Sequence, residues 1–230
     1  MFEKFRHRSH QLERLDTGDY TAAEYARWQR EMRFVHGFWG ERRALKNSLI
    51  RHARYGGQHY ISVLDIGAGT GNILKLIKKD LSDRDVFAIA GETSADALGS
   101  VALEKKTTGI QPVMCSGLSL PFDDHSVDYV ICTLVLHHLS DDDAMTLIGE
   151  MGRVARRRFF AIDLNRHPIG YYAWRAVSPL LFQRFTREDG ALSILRSFTA
   201  EELLALAKRS GVSEVKVEHS RANRLVLSGR

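Results

Sequence analysis

The sequence contains little cysteine. Only Cys115 and Cys132 occur in a chain of 230 residues. Two thiols are too few for a disulfide framework, and they lack the paired spacing of a zinc site. We therefore expect two free thiols, and the sequence predicts no metal site. Hydrophobic residues make up 44% of the chain, which is enough to close one buried core, so a single globular enzyme is expected.

Long uncharged apolar runs are also missing. The amino end, residues 1–14, is crowded with charged residues and histidine and lacks the apolar stretch that a signal peptide needs. No later segment offers the ~18 uncharged apolar residues of a membrane span. These absences predict a cytoplasmic protein without a transmembrane segment.

Charges of the two signs are distributed unevenly. Residues 1–54 carry 12 Lys and Arg against 7 Asp and Glu, residues 55–150 carry 6 against 14, and residues 151–230 carry 15 against 7. Basic flanks suit nucleic acid, an anionic lipid surface or an acidic small molecule. Such basic flanks are more often arginine-rich surfaces exposed to solvent. Their charge also leaves peripheral membrane contact open. Nothing in the sequence indicates an oligomeric state.

Short β-rich runs alternate with helical patterns from residue 61 onward, which is typical of a parallel sheet covered on both faces. We predict an α/β fold for residues 56–230, a doubly wound, Rossmann-like sheet of seven mostly parallel strands. Residues 1–55 show helical patterns alone and are predicted to form a helical cap. Residues 164–197 are predicted to form an insertion on the substrate side.

The predicted elements are short and regularly spaced. Thr199 is the expected N-cap of the last helix, with Glu202 at its third position. The helices are expected at Asn72–Lys79, Ala95–Glu104, Ala144–Val154 and Ala200–Ser210, and the strands at Ser62–Ile66, Val86–Ala90, Pro112–Cys115, Asp128–Thr133, Arg158–Asp163, Ser213–His219 and Arg224–Ser228.

A glycine-rich run, Gly67-Ala68-Gly69-Thr70-Gly71, follows the first predicted strand. Ligands of open α/β sheets bind beyond the carboxyl ends of the strands, and glycine lets a ligand lie against the backbone. A dinucleotide fingerprint counted from Gly67 requires Gly or Ala at position 72, where this chain has Asn72. The spacing therefore favours an adenosyl ligand without a pyrophosphate.

Glu92 stands 21 positions after Gly71, at the end of the second predicted strand. A carboxylate there can accept hydrogen bonds from two vicinal ribose hydroxyls. The alternative is an acidic residue that only stabilises the amino end of the following helix.

Three segments resemble the class I S-adenosylmethionine-dependent methyltransferases. Val63–Asn72 is similar to their first motif, Ser119–Val130 to their L-P-F-x-D-x-S-F-D-x-V segment, and Leu134–Leu139 to the stretch that follows. The resemblance covers about residues 60–165, in the style of the quinone-biosynthesis and small-molecule members, and it implies S-adenosylmethionine as cofactor. The residues expected to hold the cofactor are Asp65, Gly67, Ala68, Gly69, Gly71, Glu92, Thr93, Ser116, Gly117, Leu118, Thr133 and Leu134.

The resemblance also implies individual roles. Asp65 would fix the glycine loop and approach the methionine amino group, Glu92 would hold the ribose, and Thr93 would flank the adenine. Family members often have Asp where this chain has Ser116. A serine hydroxyl can still accept the adenine hydrogen bond, more weakly because it is uncharged, so we expect backbone groups near Gly117 to contribute. Alternatively, Ser116 only ends the third strand.

Two histidines, His137 and His138, follow the fourth predicted strand. A hydroxyl acceptor has to lose a proton during methylation, and a neutral imidazole at this edge can take it. His137 is the preferred base. A structural role for both histidines is equally consistent with the sequence, one packing under the strand and the other capping the next helix.

The insertion supplies candidates for the acceptor side. Arg166 and Arg196 could bind polar groups through the planar guanidinium, and Tyr171 and Trp174 could roof a pocket for a flat, apolar acceptor. Such side chains are more often surface pairs or core. The prediction is an enzyme of secondary metabolism that methylates a hydroxyl, or an activated ring carbon, of a small aromatic or polyketide-like metabolite.

Two alternatives stay open. The basic flanks favour an RNA methyltransferase, although the chain has no amino-methylation motif after the fourth strand, where Thr133-Leu134-Val135-Leu136 stands instead. The second is a non-catalytic relative that keeps the fold and binds the cofactor.

Overall fold

A computed structural model describes residues 3–38 and 40–230 of the chain. Met1, Phe2 and Trp39, which belong to the predicted helical cap, lie outside the described residues. Seven strands form one sheet in the order β3-β2-β1-β4-β5-β7-β6. The strands are β1 (Tyr60–Ile66), β2 (Asp85–Glu92), β3 (Ile110–Met114), β4 (Val127–Thr133), β5 (Ala155–Leu164), β6 (Lys216–Ser220) and β7 (Arg224–Gly229).

The strand directions confirm the predicted mostly parallel sheet. β1 to β5 pair in parallel, whereas β7 is antiparallel to both β5 and β6. The strand order reverses between β1 and β4, and a crevice at such a point is where ligands of doubly wound sheets bind.

Helices cover both faces of the sheet, which explains why its central strands are apolar throughout. All seven residues of β4 are buried, as expected for a parallel strand with helices on each side. In β1, Leu64 and Ile66 pack toward α7 and α10, while Ile61 and Val63 pack toward α5. The helices are α1 (Arg14–Thr17), α2 (Ala22–Phe38), α3 (Glu41–Leu45), α4 (Arg51–Tyr55), α5 (Asn72–Asp80), α6 (Ala95–Thr108), α7 (Asp141–Val154), α8 (Pro168–Leu181), α9 (Arg184–Arg196) and α10 (Ala200–Arg209).

Most predicted elements agree with the structure to within a few residues. Thr199 is the N-cap of α10, and its side chain and that of Glu202 form a reciprocal capping box, as predicted. Four boundaries differ from the predicted ones by three or four residues. α6 continues to Thr108, and β5 begins at Ala155. α7 begins at Asp141 because Ser140 caps it, and β6 begins at Lys216 because the residues after Gly211 form bends.

Aromatic rings join the amino-terminal helices to the insertion. Tyr20 stacks on Phe185 of α9 with ring centroids 5.3 Å apart, and Trp28 of α2 stacks on the same ring at 6.2 Å. This contact places α2, α8 and α9 over the carboxyl ends of the strands. None of the helices in the described part of the chain is long and apolar enough to cross a membrane.

Candidate active site

A cavity of about 670 Å³ lies beyond the carboxyl ends of β1, β2 and β4. The glycine loop after β1 and the turn after β4 form one side, and α2, α8 and α9 form the other. The cavity brings together ten of the residues predicted from the sequence, namely Asp65, Gly67, Ala68, Gly69, Glu92, Thr133, Leu134, His137, His138 and Trp174.

The glycine loop depends on conformations that glycine adopts easily. Gly67, Gly69 and Gly71 all have positive φ, at 68°, 52° and 72°. A Cβ on Gly67 would lie 2.6 Å from a Val135 methyl, whereas one on Gly69 would meet nothing within 4 Å. Gly69 therefore presents bare backbone to open space. Gly71 was predicted to contact the cofactor, but it does not line the cavity and serves instead as the N-cap of α5.

Asp65 is the last residue but one of β1 and is 1% exposed. Neither of its oxygens has a hydrogen-bond partner among the described residues. Burial, together with the nearby Glu92 charge, raises the pKa of Asp65 well above its ordinary value. Buried polar groups are normally paired, so this carboxyl group, which lines the cavity, fits a ligand that donates hydrogen bonds. The amino group of S-adenosylmethionine is such a donor.

Glu92 stabilises the backbone on both sides of the cavity edge, and its role toward a ribose stays a prediction. Its Oε2 accepts the Gly69 amide at 2.9 Å, and its Oε1 accepts the amides of Thr93 at 2.7 Å and Ser94 at 3.1 Å. The carboxylate thus links the glycine loop to the amino end of α6 while it lines the cavity. Thr93 itself does not line the cavity, although Ser94 does.

The predicted adenine contacts lie beside the cavity wall rather than in it. The Cys115 amide donates to the Glu92 carbonyl at 3.1 Å, which brings the residues after β3 next to Glu92. The Ser116 hydroxyl accepts the Leu118 amide at 3.2 Å. A Cβ on Gly117 would lie 2.9 Å from side-chain carbons of the core. The backbone of this turn is therefore fixed by its own packing.

His137 is fixed by Asp163, which stands on the neighbouring strand β5. Its Nδ1 lies 2.6 Å from Oδ1 of Asp163, and its amide donates to Oδ2 at 3.2 Å. Burial acts to raise the pKa of Asp163, but the imidazole and two backbone amides outweigh it and hold that pKa below its ordinary value. An ionised Asp163 binds the Nδ1 proton, so Nε2 is the ring nitrogen left to accept a proton.

Arg196 was predicted to bind substrate, but the structure places its side chain outside the cavity. The side chain is buried behind the two histidines, and its guanidinium donates to the carbonyls of His137 at 3.2 Å and His138 at 3.0 Å. It also pairs with Asp16, which accepts from Nδ1 of His138 at 3.0 Å. Arg196 does not line the cavity. It stabilises the turn that carries His137 and His138, the histidine turn, through these hydrogen bonds.

Arg166 and Tyr171, which were also predicted to bind substrate, make their contacts outside the cavity. Arg166 is buried and donates to the carbonyls of Phe5 at 2.9 Å and Ser197 at 2.8 Å, and it pairs with Glu202. Tyr171 packs its ring 5.5 Å from that of Phe5. Only Trp174 of the four lines the cavity, with its indole N–H donating to the Arg187 carbonyl at 3.0 Å.

Glu13 is a buried, charged cavity residue that the sequence did not indicate. It is 3% exposed, accepts the Ser193 hydroxyl at 2.9 Å and lies 3.9 Å from Nε2 of His137. Burial raises the pKa of Glu13 to about 7. No motif marks this glutamate, because its partners come from α9 and from the turn after β4, more than a hundred residues away.

The ligand atoms of Glu13, His137 and His138 lie within 4.8 Å of one another, a grouping that a metal ion could use. The Arg196 guanidinium stands 4.0 Å from the Glu13 carboxylate and already supplies a positive charge there. The acceptor half of the cavity is otherwise mostly apolar. Its apolar lining consists of Tyr25, Trp28, Met32, Val35, Leu164, Ala173, Trp174 and Ile194.

Comparisons with known proteins indicate the family of this chain. Residues 63–158 match a family model described as a methyltransferase domain. The chain is 33% identical over 145 residues to the ubiquinone/menaquinone biosynthesis C-methyltransferase UbiE of Xanthomonas campestris, covering 58% of this chain and 56% of that protein. It is 32% identical over 93 residues to the probable tRNA methyltransferase 9B of Mus musculus, covering 40% and 19%.

Solved structures show the same fold. The magnesium protoporphyrin IX methyltransferase (ChlM) from Synechocystis PCC 6803, solved with bound SAH, superposes with a TM-score of 0.63 at 15% identity and covers 94% of this chain and 99% of that chain. The chain spans little more than half the length of the UbiE relative.

Proposed function

We propose that this chain, which belongs to the class I S-adenosylmethionine-dependent methyltransferases, transfers a methyl group from S-adenosylmethionine to a small aromatic or polyketide-like metabolite. The acceptor atom is a hydroxyl oxygen or an activated ring carbon. The observation that carries the proposal is one continuous cavity. One end of it, the donor end, carries the unpaired Asp65 carboxyl group and the glycine loop. The other, the acceptor end, carries aromatic side chains and His137.

The donor end provides hydrogen-bond acceptors and bare backbone. Bound there, the cofactor supplies a methyl group on a positively charged sulfur. Asp65 accepts hydrogen bonds from the donor's amino group, Glu92 accepts them from the ribose hydroxyls, and Gly69 lets the ligand lie against the loop. The Asp65 oxygens have no partner among the described residues, and Gly69 faces open space. The Glu92 oxygens already accept backbone amides, and their remaining lone pairs are the ones offered to the ribose.

The acceptor end can hold an acceptor and remove its proton. Apolar side chains dominate it, so it binds a flat ring by excluding water. His137 takes the proton at Nε2, and Asp163 stabilises the imidazolium through Nδ1, as a buried carboxylate does in other acid–base pairs. Because the sulfur is a good leaving group, positioning the acceptor then supplies much of the rate.

The pairing of the arginines favours a small molecule over RNA. RNA recognition needs exposed cations that neutralise phosphates, and many arginines of the basic flanks are instead engaged by carboxylates of this chain. These pairs are Arg8–Asp141, Arg14–Glu24, Arg153–Glu150, Arg156–Asp128, Arg157–Asp128, Arg166–Glu202, Arg196–Asp16 and Arg224–Glu41. The name of the UbiE relative supports a quinone-like ring carbon as one form of the acceptor.

A labelling experiment tests the proposal. Purified protein is incubated with methyl-labelled S-adenosylmethionine and a cell extract that is then separated into RNA, protein and small molecules. Label in the small-molecule fraction, reduced with the Glu92→Ala variant at a limiting cofactor concentration, is the expected result. Label in RNA would establish the alternative substrate, and cofactor binding without labelling of any fraction would identify a non-catalytic relative.

A further inference from the structure

Glu13 reaches the cavity from a segment that α9 fixes in place. The residue stands just before α1, and the two oxygens of Asp189 accept the backbone amides of Arg14 and Leu15, each at 3.0 Å. The Ser193 hydroxyl then donates to Oε1 of Glu13 at 2.9 Å. The carboxyl group therefore has a defined position in the cavity wall, although it belongs to the amino-terminal segment.

Glu13 and His137 stand close enough to contact the same hydroxyl oxygen. Oε1 of Glu13 and Nε2 of His137 are 3.9 Å apart, which is too far for a direct hydrogen bond. A hydroxyl oxygen beside the pair can lie about 2.8 Å from each atom, with an angle of about 90° between the two contacts. Nε2 has no hydrogen-bond partner among the described residues, since Asp163 uses the other ring nitrogen.

The burial of Glu13 lets this residue and His137 share a proton. Burial dominates at Glu13 and places its pKa at about 7, against the lowering effects of neighbouring charges. Groups with a pKa close to the working pH are the most effective at exchanging protons. The titratable and polar groups that face Glu13 are His137 and His138 from the turn after β4, Asp189, Ser193 and Arg196 from α9, and Asp16 from α1.

We propose that Glu13 and His137 together bind the reacting hydroxyl of the acceptor, which is phenolic or enolic, and that this pair takes up its proton. The inference rests on the proposed function and adds a second acid–base residue and a substrate class to it. The member of the pair that carries a proton donates a hydrogen bond to the hydroxyl oxygen. The other member receives the proton of that hydroxyl.

The electron count of the step is simple. The O–H bond breaks and its electron pair stays on oxygen, which attacks the methyl carbon of the donor. As the new O–C bond forms, the S–C bond breaks and its pair stays on sulfur, so the donor leaves as a neutral thioether. A phenol, with a pKa of about 10, is within reach of this pair, whereas an aliphatic hydroxyl is much less acidic.

Binding of 1-naphthol and of its methyl ether, 1-methoxynaphthalene, tests the site without needing methyl transfer. Calorimetry in the presence of S-adenosylhomocysteine should show at least tenfold tighter binding of 1-naphthol by the wild-type protein. Glu13→Leu, which has a similar volume but no hydrogen-bonding group, should reduce this preference to less than threefold. The exposed glutamate of the same segment provides the control, and Glu3→Gln should keep the full preference.

Turnover with 1-naphthol separates hydrogen bonding from proton transfer. Glu13→Gln keeps the shape and the contact with Ser193, so KM should change little while kcat falls by ~100-fold, a typical contribution of acid–base catalysis. No preference for 1-naphthol in the wild type, an unchanged preference in Glu13→Leu, or unchanged kcat in Glu13→Gln would each overturn the inference. If the preference behaves as expected but no acceptor is methylated, the proposed function fails and the hydroxyl site stands.

Discussion

Oδ1 of Asp163 lies 2.6 Å from Nδ1 of His137, and the same carboxylate accepts the His137 backbone amide. Both residues are almost fully buried, at 4% and 3% exposure. Since β4 and β5 are neighbours, the carboxylate at the end of one strand fixes the imidazole that follows the other. One ring nitrogen is thereby committed to Asp163, and the other is directed to the cavity.

Asp163 and His137 should act as one unit in methylation of a hydroxyl acceptor. We expect His137→Ala to lower kcat by ~100-fold while cofactor binding persists, since the proton acceptor is lost. Asp163→Asn should cost a similar factor because an amide can stabilise the wrong tautomer of the ring. The double variant should be no slower than the slower single variant. Steady-state kinetics of all four proteins measures this coupling, and additive losses would show that the two residues act separately.

Asp65 should lower the stability of the ligand-free protein and raise its affinity for the cofactor. Asp65→Ala removes a buried carboxyl group without a partner, so the free energy of unfolding of the ligand-free protein should not fall and should rise by up to about 1–3 kcal/mol. Affinity for S-adenosylhomocysteine should fall at least tenfold, because its amino group loses its acceptor. Urea denaturation and calorimetry provide the two measurements. Reduced stability with unchanged affinity would place Asp65 among ordinary core residues.

Glu92 should contribute to cofactor affinity directly and through the loop. Glu92→Ala removes the acceptor of the ribose hydroxyls and also the anchor of the Gly69 amide. We expect S-adenosylmethionine binding to weaken at least tenfold, about 1.4 kcal/mol. The control is Glu104→Ala, which removes an exposed carboxylate of α6 that pairs with Lys75. Unchanged calorimetric affinity in Glu92→Ala would remove this residue from the site.

The sequence predicts the donor end better than the acceptor end, for a physical reason. The glycine loop, Asp65 and Glu92 follow strands whose apolar patterns are plain, and parallel strands place their carboxyl ends at one edge. Local sequence therefore defines the neighbours of these residues. Glu13 and Arg196 depend on how α9 packs against the amino-terminal segment, and no local pattern encodes that contact. An arginine in an insertion was predicted to face the substrate because the sequence does not show the backbone carbonyls that bind it.

Asp128 should make the stability of the fold sensitive to acid. Burial acts to raise its pKa, but hydrogen bonds from Ser62 and from Arg156 and Arg157 outweigh it, so the pKa lies below its ordinary value. A lowered pKa stabilises the fold above the unfolded-state pKa of about 3.9, and that stabilisation is lost as pH falls through the folded-state pKa. Asp128→Asn should therefore lower the unfolding free energy at pH 7 and flatten its decline below about pH 4. An unchanged acid profile would contradict this account.

Arg196 should prove more important for stability than any surface arginine of the same helix. Its guanidinium donates to two carbonyls of the histidine turn and pairs with Asp16. Removal of one partner of a buried pair typically costs about 3–5 kcal/mol, so Arg196→Ala should lower the unfolding free energy by roughly this amount. Arg196→Lys should recover only part of it, since an ammonium group cannot reach the same acceptors at once. The matched control is Arg184→Ala in the first turn of α9, an exposed residue paired with Glu188, for which no measurable change is expected. Urea denaturation compares the three variants, and equal effects of Arg196→Ala and Arg184→Ala would show that the histidine turn holds its position without the guanidinium.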